Sequence, residues 1–159
     1  MAPRKISTKI VICGLCLLLA PPVAAFEPVA TIAGKASVRD GDGILFGKVE
    51  IRLQGIAAPE DGPGKRQPGG AESTASLRRL VDGAMLVCRL DGTTAGKGNR
   101  PVGICYLGSL DIGLHQVRNG HARDCPHFSG GRYAEAEREA QADGKNLAAI
   151  YPLPPYCRD

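Results

Sequence analysis

The sequence Asp-Gly-Asp-Gly-Ile at residues 40–44 is followed by Arg-Leu-Gln-Gly-Ile-Ala-Ala-Pro-Glu at residues 52–60, and Arg100 stands further along the chain. Together these stretches offer carboxylates for a hard cation, a base and two guanidinium groups. The set suits phosphodiester cleavage, because the transition state concentrates negative charge on non-bridging oxygens and the attacking water must lose a proton. The motifs therefore point to phosphodiester chemistry.

Residues 1–25 have the features of a secretory signal peptide. Arg4, Lys5 and Lys9 precede an apolar run over residues 10–20, and small residues follow it. Charge, length and cleavage chemistry predict removal of this segment, and the run is shorter than the roughly 20 residues of a transmembrane helix. A retained N-terminal anchor is the alternative. We expect an exported protein, periplasmic or secreted, with one domain at residues 26–159 and no membrane attachment after processing.

The predicted mature domain is almost neutral. Residues 1–25 contain three of the 20 Lys and Arg and none of the 16 Asp and Glu, which leaves 17 basic against 16 acidic residues and a net charge of about +1. This balance does not support a basic surface that covers the whole domain. A polyanion would have to be held by a local cluster, which Arg52 and Arg100 can provide.

Four cysteines remain in the predicted mature domain: Cys88, Cys105, Cys125 and Cys157. An even number of cysteines in an exported domain indicates disulfides. Three pairings are possible. We favour Cys88 with Cys105, because both fall in neighbouring strand patterns, and Cys125 with Cys157, which would fasten the C-terminal tail. A structural zinc site that includes His127 is the alternative, although the chain has no Cys-x-x-Cys spacing.

The hydrophobic period predicts five strands and three helices. The strands are expected at residues 29–38, 43–46, 48–56, 84–90 and 102–107. The helices are expected at residues 71–81, 110–119 and 132–145, with Leu114 and Val117 of the second facing inward. Gly47 predicts a hairpin between the second and third strands. These elements favour a small closed or half-closed sheet with helices, followed by an extended Pro-rich tail at residues 151–156.

The order of these elements and motifs resembles the staphylococcal nuclease (thermonuclease) family. The resemblance rests on Asp-Gly-Asp before Arg-Leu-x-Gly-Ile-x-Ala-Pro-Glu, Arg100 before a strand, Val-Arg-x-Gly at residues 117–120 and a Glu- and Ala-rich final helix. It covers nearly the whole predicted mature chain. What it implies is a five-stranded β-barrel of the OB-fold type with three α-helices, and a calcium-dependent nuclease that cuts DNA and RNA.

The resemblance also implies roles for individual residues. Asp42 resembles the calcium-ligating aspartate, and Glu60 resembles the carboxylate beside the attacking water. Arg52 and Arg100 resemble the two arginines that hold the phosphate, for which the planar guanidinium is suited because it can bond two phosphate oxygens at once. The main-chain carbonyl of Ala58 is a further candidate calcium ligand, since calcium prefers oxygen donors.

Two positions depart from the family pattern on the metal side of the site. Ala57 stands where a second metal-binding carboxylate is expected, and Gly43 stands where a hydroxyl often follows Asp-Gly-Asp. One carboxylate fewer lowers the affinity for calcium, because that affinity follows ligand charge. We therefore expect a weak calcium site, in which Asp40 partly replaces the missing ligand.

Three functions follow from these motifs. The first is an exported metal-dependent nuclease that acts as a monomer on DNA or RNA, preferably single-stranded. The second is a catalytically silent OB-fold module that binds nucleic acid or another ligand through its arginines, and the third is a disulfide-stiffened interaction domain. The enzyme ranks first, because Glu60 persists beside Arg52 and Arg100, and a carboxylate in a pure binding site would repel the polyanion.

Overall fold

The computed structural model describes residues 26–96 and 98–158. The predicted signal peptide, residues 1–25, lies outside the described residues. The strands are β1 (Ala30–Lys35), β2 (Ser37–Asp40), β3 (Gly43–Phe46), β4 (Val49–Leu53), β5 (Ile56–Ala57), β6 (Met85–Ala95), β7 (Arg100–Leu107), β8 (Leu110–Asp111) and β9 (Arg123–Asp124). The helices are α1 (Gly70–Val81), α2 (Ile112–Arg118), α3 (Pro126–Ser129) and α4 (Ala134–Ala142). Short 3-10 turns follow at Leu147–Ala149 and Pro155–Cys157.

Seven of these strands form one mixed sheet. Its hydrogen-bonded path runs β1-β6-β7-β4-β3-β2, and β8 pairs with β7. The pair β4–β7 is parallel and the others are antiparallel, while β5 and β9 form a separate two-stranded sheet. The predicted hairpin is confirmed: Phe46 lies opposite Val49, and Gly47 between them has a φ of +60°, which glycine adopts without steric cost.

The predicted fold class, an OB-fold-like sheet with helices, is confirmed. The strand count differs, because the segment predicted as one first strand is divided: β1 pairs with β6, whereas β2 pairs with β3. Strand β6 also continues into residues 91–95, a polar segment expected to be a loop, because Thr94 and Ala95 pair with Pro101 and Arg100. Helix α3, which was not predicted, begins at Pro126, a residue suited to the first turn.

The helices cover the buried side of the sheet. Helix α1 packs on β2, and α2 packs on β7 and α4. Asp111 caps α2 by accepting hydrogen bonds from the backbone N–H of Gly113 and of Leu114, at 2.8 and 3.1 Å. Val117 is fully buried as predicted, but the prediction for Leu114 is wrong, since it is 40% exposed. The inward face of α2 carries Ile112 and Val117 instead, and residue 114 points away from it at the helical period.

Both disulfides join the cysteines that the sequence favoured. Cys88 and Cys105 are register partners on β6 and β7, with Cα atoms 3.9 Å apart. Cys125 and Cys157 have Cα atoms 4.6 Å apart and belong to a second buried cluster with Ala57, Leu147 and Tyr151. These bonds occupy the thiols that a zinc site would have needed. The second disulfide also fastens the C-terminal tail beside β5.

Within residues 26–96 and 98–158, no helix combines the length and the apolar character needed to cross a membrane.

Candidate active site

The turn between β2 and β3 carries Asp42 into the interior. Gly41 allows this close packing, because a Cβ atom there would lie 1.9 Å from Oγ of Ser73 and 2.8 Å from Cβ of Ala58. The amide of Gln116 donates to the carbonyl of Gly41 over 3.0 Å and so holds the turn against α2. Asp42 is consequently only 3% exposed, although it lies in a Gly-rich turn.

Asp42 forms a buried ion pair with Arg52. Its Oδ1 contacts Nη1 of Arg52, and its Oδ2 accepts the backbone N–H of Ala58 at 2.8 Å. Nη2 of Arg52 donates to the carbonyl of Ile56 over 3.1 Å. Burial raises the pKa of Asp42 to about 6, although the Arg52 guanidinium lowers it. The carboxylate is therefore mainly ionised at pH 7 and serves to orient Arg52.

Calcium, which the family resemblance implies, does not fit these residues. Both carboxylate oxygens of Asp42 already have partners, and the carbonyl of Ala58 accepts the hydroxyl of Tyr151 at 3.2 Å. Ala57, at the position of the missing carboxylate, is fully buried. Among the described residues, no three or more His, Cys, Asp or Glu side chains are grouped so that they could hold a metal. No chemical step is therefore assigned to calcium.

Asp40 is not placed as a replacement ligand beside Asp42. Its Oδ1 lies 3.4 Å from the backbone nitrogen of Asp42, so that it belongs to the turn itself. It lines a cavity that Asp42 does not line. The two carboxylates therefore belong to different parts of the site.

Glu60 projects from the loop after β5 and is exposed. Gln67 fixes its backbone from both sides: the N–H of Glu60 donates to Oε1 of Gln67, and the N–H of Gln67 donates to the carbonyl of Glu60, both at 2.9 Å. The main chain is thus anchored, while the carboxylate itself remains available to water and substrate.

Arg100 begins β7 and is paired with Glu50 of β4. Nη1 of Arg100 lies 2.8 Å from Oε1 of Glu50, and Nε donates to the carbonyl of Ala95 at 3.5 Å. The side chains of Arg100 and Glu50 are 27% and 25% exposed. The pair is therefore accessible to a bound anion, which would compete with Glu50 for the guanidinium group.

Three of the predicted site residues meet at one cavity. Arg52, Glu60 and Arg100 line a cavity of about 600 Å³, called here the Arg52 cavity. Glu60 and Arg100 also line an adjoining cavity of about 560 Å³, called here the Arg39 cavity, which includes Arg39 and Lys48. Asp42 lines neither cavity and acts on the site through its contact with Arg52.

The structure adds residues that the motifs did not reveal. Glu50 was detectable in principle, because it stands two positions before Arg52 on one strand and so shares its face. Tyr156, in contrast, reaches the Arg52 cavity only because the tail is fastened by a disulfide. No local sequence signal indicates that position.

The matched sequence region covers the residues that meet at the Arg52 cavity. A model of the staphylococcal nuclease homologue family matches residues 50–149, which include Arg52, Glu60 and Arg100. The chain belongs to the staphylococcal nuclease family. The match begins after Asp40 and Asp42, so that it contains the two arginines and the glutamate but not the Asp-Gly-Asp turn.

Individual members of the staphylococcal nuclease family carry different descriptions. The succinoglycan biosynthesis protein ExoI of Rhizobium meliloti (strain 1021) is 29% identical over 143 residues, 86% of this chain and 73% of that protein. Two proteins of Oryza sativa subsp. japonica, described as probable staphylococcal-like nucleases CAN2 and CAN3, are each 34% identical over 112 residues. The matched regions are 68% of this chain but only 28% and 27% of the rice proteins.

Calcium is expected to leave the stability of this family member unchanged. A site with a Kd equal to the calcium concentration would stabilise the fold by about 0.4 kcal/mol, and we expect less than this at millimolar calcium. The variant Ala57→Asp restores a carboxylate at the family position and should gain a calcium-dependent rise in Tm. Thermal unfolding with calcium and with EDTA measures both proteins. A calcium-dependent rise in the wild-type Tm would contradict the expectation.

Proposed function

We propose that this protein is an exported monomeric nuclease that hydrolyses phosphodiester bonds in single-stranded DNA or RNA. The observation that carries the proposal is the meeting of Arg52, Glu60 and Arg100 at one cavity of about 600 Å³. Two guanidinium groups supply positive charge for a phosphate, and the carboxylate can take a proton from water. Membership of the staphylococcal nuclease family supports the same class of reaction.

Each arginine has N–H groups left for a phosphate. A guanidinium carries five N–H donors. Arg52 uses Nη1 for Asp42 and Nη2 for the carbonyl of Ile56, and Arg100 uses Nη1 for Glu50 and Nε for the carbonyl of Ala95. These contacts fix the planes of both groups, so that their remaining donors are oriented before substrate arrives. Such preorganised donors stabilise the charge that develops on the phosphate oxygens.

Glu60 would act as the general base. It accepts a proton from a water molecule as the water oxygen forms a bond to phosphorus. The bond between phosphorus and the leaving oxygen breaks, and the leaving oxygen takes a proton from solvent. Arg52 and Arg100 neutralise the charge on the non-bridging oxygens during this step. The proposed reaction uses only groups of the chain and water, and in this it differs from the calcium-dependent reaction that the resemblance implies.

The test is cleavage of labelled single-stranded DNA by the chain from Phe26 onward, with both disulfides formed. We expect Arg100→Ala to lower the cleavage rate on the order of 10²-fold and to weaken binding, because it removes a phosphate contact. The rate should be equal in EDTA and across calcium from micromolar to tens of millimolar. Arg66→Ala is the matched control, since Arg66 is 72% exposed, pairs with Asp61 and lines neither cavity. No cleavage in any condition would refute the proposed nuclease.

A second candidate function is binding of nucleic acid without cleavage. The observation that favours it is the engagement of Asp42 by Arg52, which leaves the cavity without the metal-binding carboxylates expected for the family. Binding that depends on Arg100, weakens steeply with salt and is not followed by cleavage would establish this alternative. Fluorescence anisotropy at several salt concentrations measures it beside the cleavage assay.

A further inference from the structure

The Arg52 cavity has an aromatic wall that the proposed hydrolysis does not use. Phe128 of α3 and Tyr156 of the tail both line it, and they are 51% and 54% exposed. Their ring centroids lie 6.5 Å apart, with the planes inclined by 50°. Exposed aromatic rings in a concave site provide flat surfaces on which a planar ligand can stack.

The Cys125–Cys157 disulfide holds this aromatic wall together. Cys125 lies at the start of α3, and Cys157 directly follows Tyr156, so the bond joins the two segments that carry the rings. Both cysteines are buried, at 1% and 0% exposure. The ring of His127 also packs edge-on against Phe128, with centroids 4.6 Å apart. The tail would otherwise have only noncovalent contacts to keep Tyr156 at the cavity.

The two walls of the cavity differ in chemistry in a way that matches a nucleotide. Arg52 and Arg100 provide positive charge for a phosphate, while Phe128 and Tyr156 provide apolar, planar surface for a base. A base stacks on aromatic side chains whatever its sequence, because every base has a π face. Bases in a duplex are already stacked and paired, so that only a single strand can offer one without the cost of unpairing.

We propose that Phe128 and Tyr156 form a nucleobase subsite, assembled by the Cys125–Cys157 disulfide, which selects single-stranded nucleic acid. The inference rests on the proposed function, since it names the substrate class of the same cavity. The arginines bind the backbone of the strand, and the aromatic pair takes the base of a neighbouring nucleotide. Loss of the disulfide frees the tail and removes Tyr156 from the cavity.

The test compares a single-stranded DNA with an abasic strand of equal length. Tyr156→Ala should weaken binding of the normal strand about tenfold and leave binding of the abasic strand unchanged. Tyr156→Phe keeps the ring and should bind both strands like the wild type. Ile150→Ala is the matched control, because Ile150 is also 54% exposed and does not line the cavity. Fluorescence anisotropy of the labelled strands measures each Kd.

The disulfide is tested by the double variant Cys125→Ser/Cys157→Ser. It should lose affinity for the normal strand to about the same extent as Tyr156→Ala and keep its affinity for the abasic strand, which also shows that the fold persists. If this variant does not fold, Tyr156→Ala still decides the question, since it removes an exposed ring only. Equal affinity of wild type and Tyr156→Ala for the normal strand would overturn the nucleobase subsite.

The two proposals fail in different ways. If Tyr156→Ala has no effect but Arg100→Ala weakens both strands, the nucleobase subsite is wrong and the phosphate site stands. If Arg100→Ala changes neither strand, the proposed function itself is wrong. A loss with Tyr156→Ala that is equal on the normal and abasic strands would assign the ring a structural role and also overturn the subsite.

Discussion

Asp42→Ala is expected to lower the free energy of unfolding by about 3 kcal/mol. The variant leaves Arg52 without its carboxylate partner, in a side chain that is only 15% exposed. It also deprives the backbone N–H of Ala58 of its acceptor. Breaking one side of a buried pair is costly because the remaining charge is desolvated and unpaired, even where the pair itself adds little net stability. Urea denaturation of variant and wild type measures the difference.

A second variant separates the cost of the unpaired charge from other effects of the substitution. Asp42→Ala/Arg52→Met removes both charges, and we expect it to be more stable than Asp42→Ala alone, because an apolar replacement of a buried pair is often neutral or stabilising. Arg66→Ala, which removes an exposed pair with Asp61, should change stability by less than about 1 kcal/mol. If Asp42→Ala cost no more than Arg66→Ala, Asp42 would not be the anchor of Arg52.

Glu60→Gln is expected to lower the rate of cleavage by about 10²- to 10⁴-fold, the usual contribution of a general base. The amide is nearly isosteric but cannot take the proton of the attacking water. Binding of single-stranded DNA should stay the same or become tighter, because a negative charge is removed from a cavity that holds phosphate. Single-turnover cleavage and anisotropy with the same strand separate the two quantities.

This combination of effects distinguishes a base from a structural residue. Arg100→Ala should weaken both binding and cleavage, whereas Glu60→Gln should affect cleavage alone. Glu72→Gln is the matched control, since Glu72 is an exposed carboxylate on α1 that lines neither cavity. A cleavage rate of Glu60→Gln within a few-fold of the wild type would exclude Glu60 as the base, and the water would then need another acceptor.

Much of the fold could be predicted from local pattern. Gly47 between two apolar runs indicated the β3–β4 hairpin, and the Ala- and Glu-rich segment with Tyr133 and Ala136 on one side indicated α4, where both are buried. These signals work because strand and helix periods sort side chains by face over a few residues. Polar residues 91–95 escaped prediction, since their strand is held by backbone pairing with residues 100 and 101 rather than by apolar side chains.

The amino-acid sequence by itself determined the family, the OB-fold class, the favoured cysteine pairs and the residue types Arg52, Glu60 and Arg100. Only the tertiary structure decided what each charge contacts. Asp42 could be assigned to calcium or to Arg52 from the motif, and the buried turn assigns it to Arg52. Likewise, Tyr156 reaches the cavity across a disulfide of sequence separation 32. Such long-range contacts depend on how whole elements pack, which no local period encodes.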